Sequence, residues 1–401
     1  MKKSLLIAFA AVLALTASAQ KIDFSKDFMP VTNISKREAA KALAKKIQNK
    51  APQTFRDYSA VKAAFAQKAP EQADILGKYI DEETAYTASG TLTYKTNIPV
   101  TIFEKEVEGT TYVCIHGLLA EGEDEGIMGV YDPSTGVIDC GNQIVFNHKT
   151  YGNVAVCGIA DDQTVDELSF TVDEDGTITI DQDGWYAYLP DYEPADEDDS
   201  NIWSIGWECF MAPVNGYLRY DIYGQSGWID DQKSDIFIED FGTAVNVYNY
   251  FGGTVSMTID DDLKVSMPTK QVITTTPSSA VKDTYGYFEY LVGMNGTTPD
   301  DTMEEISGTL SGNTILFPSY GCIRSDVDEQ GLAYITFYYD ATIVLNEGNF
   351  IADPTGIEEV KTTLEDRIKN TKTYNMLGQQ VDRSKATGLL IRGGKKYIKK
   401  F

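Results

Sequence analysis

Sixty Asp and Glu side chains but only two histidines, His116 and His148, set the chemistry open to this 401-residue chain. His116 follows the run Thr111 to Ile115 and His148 stands beside Asn147. Neither falls in an H-E-x-x-H spacing and no G-x-S-x-G elbow accompanies them, so both read as satisfied or solvent-facing side chains. Phe251-Gly252-Gly253-Thr254 lacks the lysine and the strand-to-helix setting of a phosphate loop, and reads as a β-turn. Carboxylate chemistry remains. Hard oxygen ligands suit calcium, and Asp173-x-Asp175-Gly176 and Asp181-x-Asp183-Gly184 look like pieces of a D-x-D-x-D-G loop. Thr171 stands where the loop's opening acid should be and Gln182 where its closing Glu should be, so both pieces read as hairpin turns. Asp260-Asp261-Asp262 reads as an exposed turn whose like charges repel unless a cation is present. No metal site is assigned, and calcium is the one cation the composition suits.

Glycoside hydrolysis needs two acids about 5 to 9.5 Å apart across a sugar-sized cleft, a requirement that sixty acids easily meet. Glu208, beside Trp207, is the candidate acid. The ligand-binding candidates are Trp207, Glu208, Arg219 and Tyr223, which a hairpin turning at Asn215-Gly216 would bring onto one ribbon. Its register sets Cys209 opposite Ile222 and Met211 opposite Tyr220. One face then holds Trp207, Cys209, Met211, Leu218, Tyr220 and Ile222, and the other holds Glu208, Phe210, Arg219, Asp221 and Tyr223. Exposed aromatics could stack on sugar rings, and Trp185, Trp203, Trp207 and Trp228 form the pool. Trp203, Ile205, Trp207 and Cys209 alternate onto a single face, which reads as core.

Positioning these residues requires β structure. From about Thr87, short runs of Val, Ile, Thr, Tyr and Phe alternate with Asp-Gly, Asn-Gly and Ser-Gly pairs, the pattern of antiparallel sheets. Before it, a capping box at Ser35 and Glu38 opens a helical pattern through Ile47. A second helical pattern carries Val61, Ala64 and Phe65, and a third carries Ile75, Leu76, Tyr79 and Ile80. Asp132, Val137, Gln143 and Ile144 recur 128 residues on as Asp260, Val265, Gln271 and Val272. Tyr151-Gly152, Gly158 and Gly176-Thr177-Ile178 find later counterparts in Tyr285-Gly286, Gly293 and Gly312-Asn313-Thr314-Ile315. The reading is mainly β, with two tandem, duplicated-looking antiparallel units, sandwich or barrel. Residues 20–84 form a helical N-terminal segment, 85–230 and 231–352 the two units, and 356–401 a small C-terminal β domain.

Residues 1–19 read as a secretory signal: Lys2 and Lys3, an apolar run from Leu5 to Leu15, then Ala17-Ser18-Ala19. The five cysteines, spread far apart with no C-x-x-C, read mostly as small buried hydrophobes, with room for one bridge in the first unit. A net charge of −26 argues against nucleic acid as a partner, because this surplus of carboxylates repels a polyanion.

The C-terminus changes texture again. Tyr374-Asn375 with Gly378, Gln379 and Val381, then Gly388-Leu389-Leu390-Ile391, then Gly394-Lys395-Lys396, describe three short strands with a basic end. This series resembles the C-terminal sorting domain of the type IX secretion system, over residues 356–401 only. The resemblance implies a small β-sandwich read by outer-membrane secretion machinery, with delivery to the cell surface or beyond. It concerns delivery and leaves the cargo's activity open. The sequence therefore points to an exported surface or extracellular protein with a binding or scaffold role toward an extracellular ligand, carbohydrate or protein. It is read as a non-enzyme without cofactor, against two alternatives: a secreted carboxylate-type glycoside hydrolase and a calcium-stabilised adhesin.

Overall fold

The computed structural model describes residues 41–47, 50–66, 75–87, 92–119, 125–160, 163–193, 200–224, 227–276, 287–300, 302–327, 333–352, 374–375, 388–392 and 395–399. Among the described residues, helix is confined to residues 41–47 and to α1, Ser59–Ala66. Asp57 accepts the Ser59 N–H at 2.9 Å, occupying a donor that a helix start leaves open. Leu43, Ala44 and Ile47 pack on Tyr186, Tyr188 and Ile205, and α1 packs through Val61 and Phe65 beside Tyr58, Cys114 and Met128.

The expected third helix is a strand, β1 (Ile75–Thr87). Its apolar spacing suits one helical turn, but pairing along its length decides the outcome, and tertiary context outweighs a short periodic signal. There follow β2 (Leu92–Val107), β3 (Thr110–His116), β4 (Ile127–Asp132), β5 (Val137–Asp139), β6 (Gln143–His148), β7 (Gly152–Ile159), β8 (Val165–Asp166), β9 (Ser169–Val172), β10 (Ile178–Ile180), β11 (Gly184–Tyr188) and β12 (Ile202–Pro213). The order β1-β2-β3-β4-β5-β9-β10-β12 returns to β1, closing an eight-stranded ring. One edge of β12 serves β1. The other is divided between β10, at Phe210 and Met211, and β11, from Trp207 to Ile202. Through β11 a side sheet of β7 and β6 branches off, with β8 on β7.

The second unit repeats this plan. Its strands are β13 (Gly216–Gly224), β14 (Gly227–Asp240), β15 (Ala244–Tyr250), β16 (Gly253–Ile259), β17 (Lys264–Pro268), β18 (Val272–Thr276), β19 (Tyr287–Asn295), β20 (Thr298–Asp300), β21 (Glu305–Ser311), β22 (Thr314–Val327) and β23 (Ala333–Leu345). The order β13-β14-β15-β16-β17-β21-β22-β23 returns to β13, and β19 and β18 branch from β22 with β20 on β19. Strand for strand the two agree, with β22 spanning what β10 and β11 divide in the first barrel.

The spaced residues of the sequence repeat occupy equivalent places. Gln143 Nε2 donates to the carbonyls of Met128 (2.7 Å) and Cys140 (3.0 Å) while its Oε1 accepts the Met128 N–H (2.9 Å). Gln271 does the same with Ser256 (3.0 and 2.7 Å) and Pro268 (2.9 Å). Asp132 and Asp260 each accept the N–H two residues on, turning the chain after β4 and β16. Tyr285 and Gly286 lie outside the described residues.

The first ring's last strand, β12, ends at Pro213, and β13 from Gly216 already belongs to the second ring. Asn215-Gly216 is no hairpin turn, because β12 and β13 do not pair. Asn215 instead bonds through its side chain to both backbone groups of Ile238, each at 2.7 Å, and its carbonyl accepts the Asn346 N–H, fixing the start of the second ring. β-Branched and aromatic side chains fill each barrel: Ile102, Val113, Phe170 and Trp185 in the first, Val247, Val255, Phe317 and Tyr320 in the second. All five cysteines are buried thiols outside any disulfide. The described C-terminal residues form a three-stranded antiparallel sheet of β24 (Tyr374–Asn375), β25 (Gly388–Arg392) and β26 (Lys395–Lys399). Gly378, Gln379, Val381 and Gly394 of the sorting motif lie outside the described residues, as do residues 1–19.

Candidate functional site

The four residues expected on one ribbon belong to two barrels: Trp207 and Glu208 to β12, Arg219 and Tyr223 to β13. Glu208 occupies a β-bulge, with φ at 57°, where Glu82 pairs with Phe210 but Thr84 pairs with Trp207. The extra residue reverses the facing of the strand. Trp207 therefore packs outside with Ile205, while Cys209 and Met211 enter the barrel. A second irregularity between Ala187 and Tyr188, opposite Ser204 and Ile202, separates Trp203 from Ile205 in the same way. The single face read from Trp203 to Cys209 thus does not exist. Glu208 is exposed, and Thr84 Oγ1 donates to its Oε2 at 3.5 Å.

Of the four tryptophans, only Trp228 is an exposed platform, at 47%. Register places it directly across from Tyr223, which in turn faces Phe337, so three rings form a row across β14, β13 and β23. Tyr339 closes on the Trp228 ring at 5.1 Å between centroids, and Tyr223 lies 6.2 Å from it. Phe337 is the buried end of the row. Polar groups stand beside it: Trp228 Nε1 donates to Asp230, the Asp231 N–H donates to Asp221 at 2.8 Å, and Arg219 pairs with Asp231 at 2.5 Å. Arg219 and Tyr223 are thus the sequence candidates that share a face. Trp228 was in the tryptophan pool; Phe337 and Tyr339 were missed, because their strand is distant in sequence and only the pairing of β23 with β13 brings them in.

Inside the first barrel lies a second cluster that sequence reasoning passed over. Asp81 and Glu83, two apart on β1, are 0% and 2% exposed. Glu83 Oε2 accepts the Trp185 Nε1–H at 3.0 Å and the Cys209 thiol at 3.5 Å. Neither oxygen of Asp81 has a hydrogen-bond partner of normal geometry, and Glu83 is the nearby like group that acts on it most strongly. Burial, then the charges of Glu83 and Glu82, hold the Asp81 carboxyl well above the usual range. Glu83 is pushed up to about 7 by burial, against the opposing pull of Trp185, Cys209 and Asp81. The signal available was weak: Asp81 and Glu83 stand at strand spacing, but Glu82 between them and Thr84 after them make the stretch read as polar.

The calcium-like fragments are turns with their own internal partners. Asp181 accepts hydroxyl hydrogen bonds from Thr171 (2.6 Å) and Ser169 (2.8 Å), and Asp175 accepts the Thr177 N–H. Among the described residues, no three His, Cys, Asp or Glu side chains gather as a metal-holding group.

No family model matches the chain, and no curated protein does. Among solved structures, it is similar to a protein of unknown function of the DUF3598 family from Nostoc punctiforme. That match has 8% identity and a TM-score of 0.16, over 67% of this chain and 96% of that one. It is similar also to kievitone hydratase from Nectria haematococca, at 9% identity and a TM-score of 0.17, over 67% of this chain and 89% of that one. At these scores the likenesses carry no weight, and the site rests on the chain's own geometry.

Proposed function

We propose that this chain is an exported binding protein that takes carbohydrate on the aromatic row of its second barrel and is delivered through its C-terminal segment. The observation that carries the reading is the exposed Trp228 ring, backed by Tyr223, Tyr339 and the buried Phe337, with acids and an arginine beside it. A flat aromatic face stacks on the C–H face of a pyranose. Neighbouring carboxylates accept sugar hydroxyls, as the amphipathic surface of a sugar requires. Trp228→Ala is expected to weaken binding to a matching soluble polysaccharide by about 10- to 100-fold, the equivalent of roughly 1–3 kcal/mol. Calorimetry against glucan, xylan, mannan and mucin-type glycans checks it. Binding by the wild type that the Trp228→Ala variant retains in full, or no binding to any of the panel, overturns the carbohydrate reading.

Delivery is tested separately. Removal of residues 356–401 is expected to leave the protein inside the outer membrane, measured by fractionation and mass spectrometry of cells and supernatant. Unchanged surface or medium levels would remove the sorting role. The hydrolase alternative would show as turnover of the same polysaccharides, abolished by Glu208→Gln; the adhesin alternative would show as a calcium-dependent rise in melting temperature.

A further inference from the structure

The two barrels supply an internal comparison. Their bulges align: the one on β12 lies opposite the span from Glu82 to Thr84 as the one on β23 lies opposite the span from Arg219 to Asp221, with Glu208 and Asp340 (φ 49°) as the extra residues. Equivalent positions follow by counting. Asp81 lies in the row Asp81, Met211, Ile178, and its counterpart row reads Leu218, Ile343, Ile315. Glu83 corresponds to Tyr220, Cys209 to Ala341 and Trp185 to Tyr320. The second barrel therefore closes the same ring with apolar and aromatic groups where the first holds two carboxyls, so the topology does not require the acids. Burying them is costly, since a buried charge loses its hydration and each carboxyl faces a like group.

We propose that Asp81 and Glu83 are a proton-sharing carboxyl pair, a pH-sensing site inside the first barrel that the second barrel lacks. Among the described residues, the surroundings offer protons but no compensating cation. On β1 itself stand Tyr79 and Glu82. β12 contributes the Cys209 thiol and the Phe210 backbone, and β11 the Trp185 indole N–H. The residues that β2 adds to this interior, Ile98, Val100 and Ile102, carry no charge. One proton held between the carboxyls removes the like-charge conflict and leaves Glu83 the acceptor of the indole. Loss of that proton leaves two buried anions with one strong donor.

The direction of the response follows. Folded Glu83 holds its proton to about 7, against 4.5 for the free side chain, so the folded chain binds more protons between those values. Stability is therefore greatest on the acid side and declines as pH rises through that window. The other carboxylates act on wild type and variants alike, so the comparison isolates the pair. In urea unfolding from about pH 5 to about pH 8, the wild-type unfolding constant should rise on the order of a hundredfold more than that of Asp81→Leu/Glu83→Gln. Should the double variant fail to fold, infrared spectra of wild type with labelled aspartate and glutamate carboxyls decide the matter. A protonated carboxyl persisting at about pH 6, where exposed acids are ionised, supports the pair. Parallel pH profiles for wild type and variant, or full ionisation of all carboxyls at that pH, overturn it.

Discussion

Gln143→Ala is expected to cost the first barrel roughly 3–5 kcal/mol, whereas Gln271→Ala, the same substitution in the matching place, should cost the second about 1 kcal/mol. The two amides make the same three bonds at almost the same distances. Burial separates them. Gln143 is 0% exposed, so its removal strands the Met128 N–H and two carbonyls where water cannot replace the lost partner. Gln271 and Ser256 lie nearer solvent, which re-forms the bonds after truncation. Urea denaturation of both variants measures the difference. Equal losses would show that the clamp acts through turn geometry and not through desolvated hydrogen bonds. Gln143→Glu should be nearly as damaging as the alanine, because a carboxylate can accept from Met128 but cannot donate to the two carbonyls.

Gly206→Ala should be comparably destructive, at about 3 kcal/mol. A methyl at this position would run into the Trp185 indole and the Glu83 carboxylate, both held in a packed interior. Trp185 is a directly paired neighbour on β11, so its ring occupies the space that a side chain at 206 would need. The matching position in the second barrel is Tyr338, opposite Tyr320, which shows that the ring itself accepts a large residue when the neighbours differ. Combining Gly206→Ala with Trp185→Leu should therefore recover part of the loss, giving a coupling of about 1–3 kcal/mol in a double-mutant cycle. Strict additivity would place the fault in the backbone.

Much of this architecture was legible from residue order. Alternation put Cys209, Met211, Leu218, Tyr220 and Ile222 on core faces, and all five enter or line a barrel interior. The spacing of Asp132 and Gln143 against Asp260 and Gln271 marked two units whose connectivity agrees. What could not be read was where alternation breaks. A bulge at Glu208 leaves no mark in side-chain type, yet it sends Trp207 outward, and the ribbon on which the binding residues were assembled is absent because β12 and β13 lie in different sheets. β1 was hidden because Ile75, Leu76, Tyr79 and Ile80 fit one helical turn, and only closure of the ring shows Asp81, Glu82 and Glu83 to be buried. Arg219 and Tyr223 could be placed together from residue order because they share a strand, whereas Phe337 and Tyr339 come from a strand more than 110 residues away.

β12 has consequences beyond holding Cys209 and Trp207. Its amides are claimed from both sides, by β1 along one edge and by β10 and β11 along the other. Neither the ring nor the branch can detach without disturbing the same strand, so fraying of one is coupled to fraying of the other. Exchange of the β12 amide protons with heavy water accordingly reports the opening of this whole unit as one cooperative event.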